Sequence, residues 1–423
     1  MAEEKTKNET TNTETTKKSK KESVSKPKKK EDVKNSAVKM VNEQVTETPV
    51  VEEQVATEEP TKVEEPVKKE STKGKKTVTK SAKEKSVAKT EKKETKTTKK
   101  ATKAETKAKQ TKKTKDDTVS TETKAKKQKK EPYDVLMVEG YRQLKLYTYV
   151  FDDVESPKAI VLIVHGMMEH AGRYIEFAKF LNANGYIVVA NDLRGHGHSA
   201  IDKKYGYGEK DIFSESVQDE IVILEKLKDA YNLPIYLFGH SYGSMLSQAI
   251  IQNTNIVEKC VLCGTANGSS GIMKSGSGLA KFLSFFKNEN AGGGFIEKMC
   301  IKNYGKKFEH NNWLTRDDAV FEAYCKDEFC GGSFPFSFYK SMLTNMSKMN
   351  AGVNRIGRKK IFLIAGSEDP VGSKGKQVTA LNKFYLKNNI DSRCKIYPEC
   401  RHELLNELNK EEIYNDILEF YNN

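Results

Sequence analysis

Pro234-Ile-Tyr-Leu-Phe-Gly-His-Ser-Tyr-Gly-Ser244 decides how this chain is read. A short apolar run, Ile235 to Phe238, meets Gly-His-Ser-Tyr-Gly at 239–243, and Leu246 to Ile251 continue with helical spacing. That order predicts a strand, a tight turn and a helix, with Ser241 at the apex of the turn. A turn this sharp holds its central residue in a strained conformation and demands small residues two before and two after it. Gly239 and Gly243 meet the demand. A serine before a helix is also a favoured N-cap. The flanking strand and helix are the context that makes Ser241 a candidate nucleophile instead.

Outward from this stretch, composition divides the chain. Of its 423 residues, 1–130 hold no Phe, Tyr or Trp and run to Lys, Thr, Glu and Ala, as in Glu91-Lys-Lys-Glu-Thr-Lys-Thr-Thr-Lys-Lys100. Such a segment buries too little apolar surface to offset its chain entropy, so 1–130 is expected to be a disordered, low-complexity tail. It carries 38 Lys and Arg against 23 Asp and Glu, a net +15 where the whole chain has +14, which leaves 131–423 at −1. The basic character therefore belongs to the tail alone. A flexible basic segment suits nonspecific contact with a polyanion or an anionic membrane, and equally suits a solubilising spacer. No aromatic residues interleave with its lysines to stack on bases.

Met1-Ala-Glu-Glu-Lys-Thr-Lys lacks an apolar signal core, and no window reaches the eighteen or so apolar residues of a transmembrane segment. Seven cysteines without a signal peptide read as reduced thiols, hence a cytoplasmic protein. Cys260-Val-Leu-Cys263 has the spacing of a metal or redox pair, but it sits inside an apolar strand-like run and is expected to be core.

From Tyr133 onward apolar runs alternate with amphipathic stretches. Leu136–Val138 and Leu144–Val150 predict an antiparallel pair joined at Glu139-Gly140. Ala159–Val164, Tyr186–Ala190, Ile235–Phe238, Val257–Leu262, Lys360–Ala365 and Ser392–Tyr397 predict buried strands, with helical patterns between most of them. This alternation implies an α/β fold, a mostly parallel central sheet with helices on both faces, in which catalytic groups occupy loops at the carboxyl ends of the strands. Residues 265 to 355 break the rhythm and are expected to form a helical cap insertion over the sheet. Its Phe282, Phe285 and Phe286 are expected to pack between lid and core, with contact to lipid as the alternative.

A serine hydroxyl needs an imidazole to take its proton and a carboxylate to fix the tautomer of that imidazole. In this strand order the acid follows the serine and the histidine comes last. Of the seven histidines only His402 lies beyond the last predicted strand. The acid should sit on the loop after Ile361–Ala365, where Asp369 and Glu368 compete and geometry must choose. Backbone amides of Tyr242, after the nucleophile, and of Met167, in the loop after Ala159–Val164, are placed to form an oxyanion hole.

His165-Gly-Met-Met-Glu-His-Ala-Gly-Arg-Tyr174, Asp192-Leu-Arg-Gly-His-Gly-His-Ser199, Gly239-His-Ser-Tyr-Gly243, Gly366-Ser-Glu-Asp369 and the closing His402 together resemble the α/β-hydrolases of the monoacylglycerol lipase and lysophospholipase group, a serine aminopeptidase-like family. The resemblance covers about 133 to 423. It implies the α/β-hydrolase fold over 131–423, Ser241, Asp369 and His402 as catalytic triad, Met167 and Tyr242 as oxyanion donors, and Glu169, Arg173 and His240 as substrate-side polar groups. Asp192, Arg194, Gly195, His196 and Gly197 are then braces of the active-site loops. Tyr242 stands where the group usually has Met, and Ser244 where it often has Gly. The expected activity is cleavage of carboxylic esters of one-chain lipids, monoacylglycerol or lysophospholipid, through an acyl-enzyme on Ser241, with no metal or other cofactor. Two alternatives stand beside it. One is an aminopeptidase-type hydrolase, for which an acidic cap cluster such as Asp317-Asp318 would bind the free amine. The other is a polyanion-binding protein acting through the basic tail.

Overall fold

The structure is a computed structural model that describes residues 131–423, apart from Ser269; the expected tail, 1–130, lies outside the described residues. In chain order the main elements are β1 (Asp134–Glu139), β2 (Lys145–Phe151), β3 (Ala159–Val164), α1 (Ile175–Ala183), β4 (Tyr186–Asn191), α2 (Ile212–Tyr231), β5 (Ile235–His240), α3 (Tyr242–Asn253) and β6 (Val257–Cys263). After them come α4 (Gly271–Leu283), the single turn α5 (Gly294–Glu297), α6 (Asp318–Lys326), α7 (Phe336–Lys348), β7 (Lys360–Gly366), α8 (Lys376–Lys387), β8 (Ser392–Tyr397) and α9 (Lys410–Asn422).

The eight strands form one sheet in the order β1-β2-β4-β3-β5-β6-β7-β8. The first two pair antiparallel, as their alternating pattern predicts, and β3 to β8 are parallel. Strands buried on both faces must be apolar at every position, and β3 (AIVLIV) is buried throughout. Its alternate residues feed two cores: Ile160, Leu162 and Val164 on one face, Ala159, Val161 and Ile163 on the other. Cys260 and Cys263 divide in the same way, each fully buried on an opposite face, which accounts for their spacing as packing. Phe177 of α1 meets Tyr414 of α9 on one side, while Leu224 of α2, Leu246 of α3 and Val378 of α8 cover the other.

Because the chain leaves β3 toward β4 on one side and later returns to β5 on the other, a crevice opens between the β3 and β5 ends, where such sheets bind ligands. Parallel registers then align the strand ends: Val164 lies beside Gly239, His240 beside Cys263, Cys263 beside Ile364, and Gly366 beside Tyr397. Residues that follow these positions are therefore neighbours in space, however far apart in sequence.

Helices α4 to α7 lie in the excursion between β6 and β7. Asp211, the N-cap of α2, anchors that excursion by accepting hydrogen bonds from Ser341 and Asn345 of α7. Phe282, Phe285 and Phe286 depart from the packing expected of them: they are 59%, 75% and 76% exposed, and Phe295 is 58% exposed. The amphipathic α4 turns Met273, Ala280 and Leu283 inward and ends before the last two phenylalanines, which have no core to enter. Among the described residues no helix is long and apolar enough to cross a membrane.

Candidate active site

Ser241 sits between β5 and α3 with φ 51° and ψ −116°, a conformation disfavoured for any residue with a side chain. Two glycines permit it. A Cβ at Gly243 would stand 2.1 Å from the Val164 carbonyl oxygen and 2.3 Å from that of His165; one at Gly239 would stand 2.2 Å from Ser247 Oγ. The helix start thus presses directly on the end of β3. Ser241 N donates to the Cys263 carbonyl at 2.9 Å, and Ser244, buried where a glycine is more usual, donates its hydroxyl to the Ser241 carbonyl at 2.5 Å.

His402, on the loop after β8, brings Nε2 to 2.8 Å from Ser241 Oγ and Nδ1 to 2.9 Å from Asp369 Oδ1. Both the imidazole and the Asp369 carboxylate are buried. Asp369 Oδ1 also accepts from Val371 N at 2.8 Å. Of the two rival carboxylates only Asp369 meets His402; Glu368 is turned to solvent and pairs with Lys374. Burial alone would push the His402 imidazole down, but the charge and hydrogen bond of Asp369, with Glu403 and Glu169 behind it, raise it above its ordinary value. Neighbouring His240, its ring 4.8 Å away, is driven the other way, to about 4, by burial and then by His402. The two neighbouring imidazoles are thus shifted in opposite directions.

The loop after β3 is held by its own side chains. His165 bridges the Gly166 carbonyl (2.8 Å) and Leu193 N (2.8 Å), which makes Nδ1 the donor and Nε2 the acceptor; burial lowers it to about 4, so the ring stays neutral. Glu169 accepts from Gly166 N at 2.5 Å and Tyr174 OH at 2.8 Å. Met167 and Tyr242 both line the cavity in front of Ser241. The ring of Tyr242 turns back into the core against Phe338 and Phe213.

Glu169 and His240 reach the cavity wall; Arg173, expected there, does not. It stands behind, donating to Glu169 Oε2 (2.5 Å) and, through two nitrogens, to Glu403 Oε1 (2.8 Å) and Oε2 (2.7 Å), with its guanidinium 4.8 Å over the Tyr324 ring. A planar fork between two carboxylates is the arrangement that arginine satisfies best. Burial pushes Glu169 up, but Arg173, then His240 and His165, outweigh it and hold the carboxyl at about 2; Arg173 lowers Glu403 against burial in the same way.

Two residues at the site were not singled out from the sequence. Glu403, next to His402, lines the cavity, and its position in the chain was the available signal. Trp313, the single tryptophan, places its ring 4.9 Å from that of His402 and tilted by 32° to it, from within the β6–β7 excursion, and no motif marks it. The rest of the wall is mostly apolar, with Met273, Met299, Met342, Leu343, Ile301 and Val371 beside Tyr304 and Tyr324. Asp317 and Asp318 are absent from it: Asp317 caps α6 and Asp318 accepts from Asn312.

Asp192 to Gly197 lie on the loop after β4. Asp192 accepts from Ala171 N (2.8 Å) and His198 N (2.7 Å), and Arg194 forks onto Asp219 (2.8 Å to each oxygen). A Cβ at Gly197 would collide with Asp192 at 2.2 Å, and Gly195, at φ +70°, has backbone atoms of Gly206 and Tyr207 within 3.1 Å of the same position. Buried His196 is lowered to about 3, first by burial and then by His165, and stays neutral.

A family model described as "Serine aminopeptidase, S33" matches residues 155–409. A monoglyceride lipase homolog of monkeypox virus is 25% identical over 264 residues, covering 61% of this chain and 87% of its own. A monoacylglycerol lipase of Mycolicibacterium smegmatis is 25% identical over 275 residues, covering 62% and 87%. Among solved structures, a thermostable carboxyl esterase from Bacillus coagulans superposes with a TM-score of 0.63 at 23% identity, over 69% of this chain and 99% of the esterase; at that identity the likeness concerns the fold. Strand order, strained serine turn and family match agree, and the chain belongs to the serine aminopeptidase S33 family of α/β-hydrolases.

Proposed function

We propose that this protein is a carboxylic-ester hydrolase that cleaves one-chain lipid esters, monoacylglycerol or lysophospholipid, through an acyl-enzyme on Ser241. The observation that carries the reading is the unbroken chain from Ser241 Oγ to His402 to Asp369, at 2.8 and 2.9 Å, opening on an apolar cavity. His402 Nε2 takes the Ser241 proton as Oγ attacks the ester carbonyl; Asp369 holds the Nδ1–H tautomer and stabilises the imidazolium. The oxyanion is received by the amides of Met167 and Tyr242. His402 then gives its proton to the departing alcohol, and water, deprotonated by the same ring, releases the acid. The methionine-lined wall suits an acyl chain. The names of the viral and mycobacterial relatives favour a monoacylglycerol.

An amine-recognising peptidase would offer a free carboxylate in the cavity. Glu169 and Glu403 are both committed to Arg173, which favours the ester reading. The test is labelling with a fluorophosphonate probe, followed by hydrolysis of glycerol monoesters of increasing acyl length and of aminoacyl amides. Wild type should label and Ser241→Ala should not, with esters turned over in preference to amides. Equal labelling of the alanine variant would refute the assignment of Ser241.

A further inference from the structure

Among the described residues, one group outside the candidate active site gathers three side chains of metal-ligating type: His170, Asp327 and Cys330. His170 follows β3 on the loop that carries Met167 and Glu169, while Asp327 and Cys330 belong to the turn between α6 and α7. One ligand atom from each lies within 4.8 Å of the others. His170 Nε2 stands 2.9 Å from Asp327 Oδ2.

Backbone amides hold this arrangement in place. Cys330 N donates to the Asp327 carbonyl (3.2 Å), and Phe329 N donates to Asp327 Oδ1 (2.9 Å), which leaves Oδ2 facing the histidine. Gly331 N donates to the Met168 carbonyl (2.9 Å), tying the turn to the β3 loop. The Phe329 ring covers one side, 5.4 Å from His170 and 4.4 Å from His198. None of the three residues is fully buried, so water can reach the site.

We propose that His170, Asp327 and Cys330 form a binding site for a borderline-soft divalent transition-metal cation, of which zinc is the representative, with water as fourth ligand. A mixed imidazole, carboxylate and thiolate set is the donor chemistry that zinc accepts in tetrahedral geometry, whereas magnesium and calcium prefer oxygen alone. Nitrogen, oxygen and sulfur ligands bonded to zinc at about 2.0–2.3 Å stand roughly 3.3–3.5 Å apart in tetrahedral geometry, so the His170 and Asp327 atoms, 2.9 Å apart, open by about 0.4 Å and the widest pair closes by at most about 1.5 Å. Uptake of the cation displaces the Cys330 thiol proton, which passes to solvent, and turns the thiol into a thiolate ligand. The bound ion cross-links the cap turn to the loop beside Ser241. It is a clamp on the cap and stands apart from the ester chemistry proposed above.

Cobalt(II) is the probe, because a cysteine ligand gives it a thiolate-to-metal charge-transfer absorption whether or not the enzyme turns over. Titrating the untagged full chain under reducing conditions should develop that absorption to one equivalent, accompanied by the intense visible bands of four-coordinate cobalt. Equimolar zinc should displace both. Cys330→Ser should abolish the charge-transfer band, and Asp327→Asn should weaken cobalt binding at least tenfold. Cys325→Ser, at an exposed cysteine five residues away, should leave both unchanged. Absence of the band at saturating cobalt, or its survival in Cys330→Ser, would overturn the site; melting curves of each variant without metal identify any that failed to fold.

Discussion

Arg173 holds two buried carboxylates ionised, and its removal tests the electrostatics of the site most directly. Its side chain is 11% exposed, those of Glu169 and Glu403 3% and 6%, and three hydrogen bonds of 2.5–2.8 Å join them. In Arg173→Met the shape is roughly kept while two carboxylates lose their cation. Stripping one partner from a buried pair costs about 3–5 kcal/mol, because the remaining charge has no solvent to return to. Part of that is recovered when a carboxyl takes up a proton, which fixes the pH dependence. Glu169 is held at about 2 against an ordinary 4.5, and Glu403 is also lowered. A depressed carboxyl contributes stability that is present above the unfolded value and lost as pH falls through the folded one. The clamp therefore acts fully at neutral pH and fades between pH 4.5 and about 2. Urea unfolding of wild type and Arg173→Met at pH 7 should differ by about 3–5 kcal/mol, and the gap should narrow on acidification. Adding Glu403→Gln to Arg173→Met should restore part of the loss. A difference under about 1 kcal/mol at pH 7, or a gap that widens in acid, would refute the reasoning.

Three further outcomes are expected. Glu403→Gln removes one of the charges that raise His402, so the acid limb of kcat/KM, which reports the neutral base, should move to lower pH; a limb that stays in place means that Asp369 alone sets the imidazole. In Gly243→Ala the new Cβ must clear two carbonyl oxygens at 2.1 and 2.3 Å, which displaces Ser241 by on the order of 1 Å and should lower kcat about 100-fold, measured on a soluble ester beside a melting curve; kcat within about threefold of wild type would show that the helix start yields without moving the serine. Phe285→Asp with Phe286→Asp, both exposed, should leave hydrolysis of a soluble short ester unchanged and reduce turnover of ester presented in vesicles; equal loss on both substrates would place the two rings in the core instead.

Much of the site was legible because it lies on loops fixed to strand ends. Ser241 is announced by glycines whose absent side chains are needed within 2.3 Å of neighbouring atoms, and His402 by being the histidine that follows the last strand. The choice of Asp369 over Glu368 was not legible, since adjacent residues on one loop differ only in direction, and direction comes from the Val371 amide and the imidazole that close on Asp369. The resemblance implies Arg173 on the substrate side, beside Glu169. The structure instead puts it behind the wall, drawn there by Glu403, 230 residues later. The exposed phenylalanines of the β6–β7 excursion show the same limit, as apolar character alone does not say whether a partner surface is present.

By itself, the sequence determined the strand-and-helix alternation, the strained serine turn and the segregation of basic charge into residues 1–130, since each is a matter of local pattern: period, small residues and composition. Tertiary structure decided which acid meets His402, that Arg173 bridges Glu169 and Glu403, and that Trp313 covers the imidazole. Those are contacts between segments far apart in the chain, set by the register of parallel strands and by burial, and a pairing of that kind has no local signature to read.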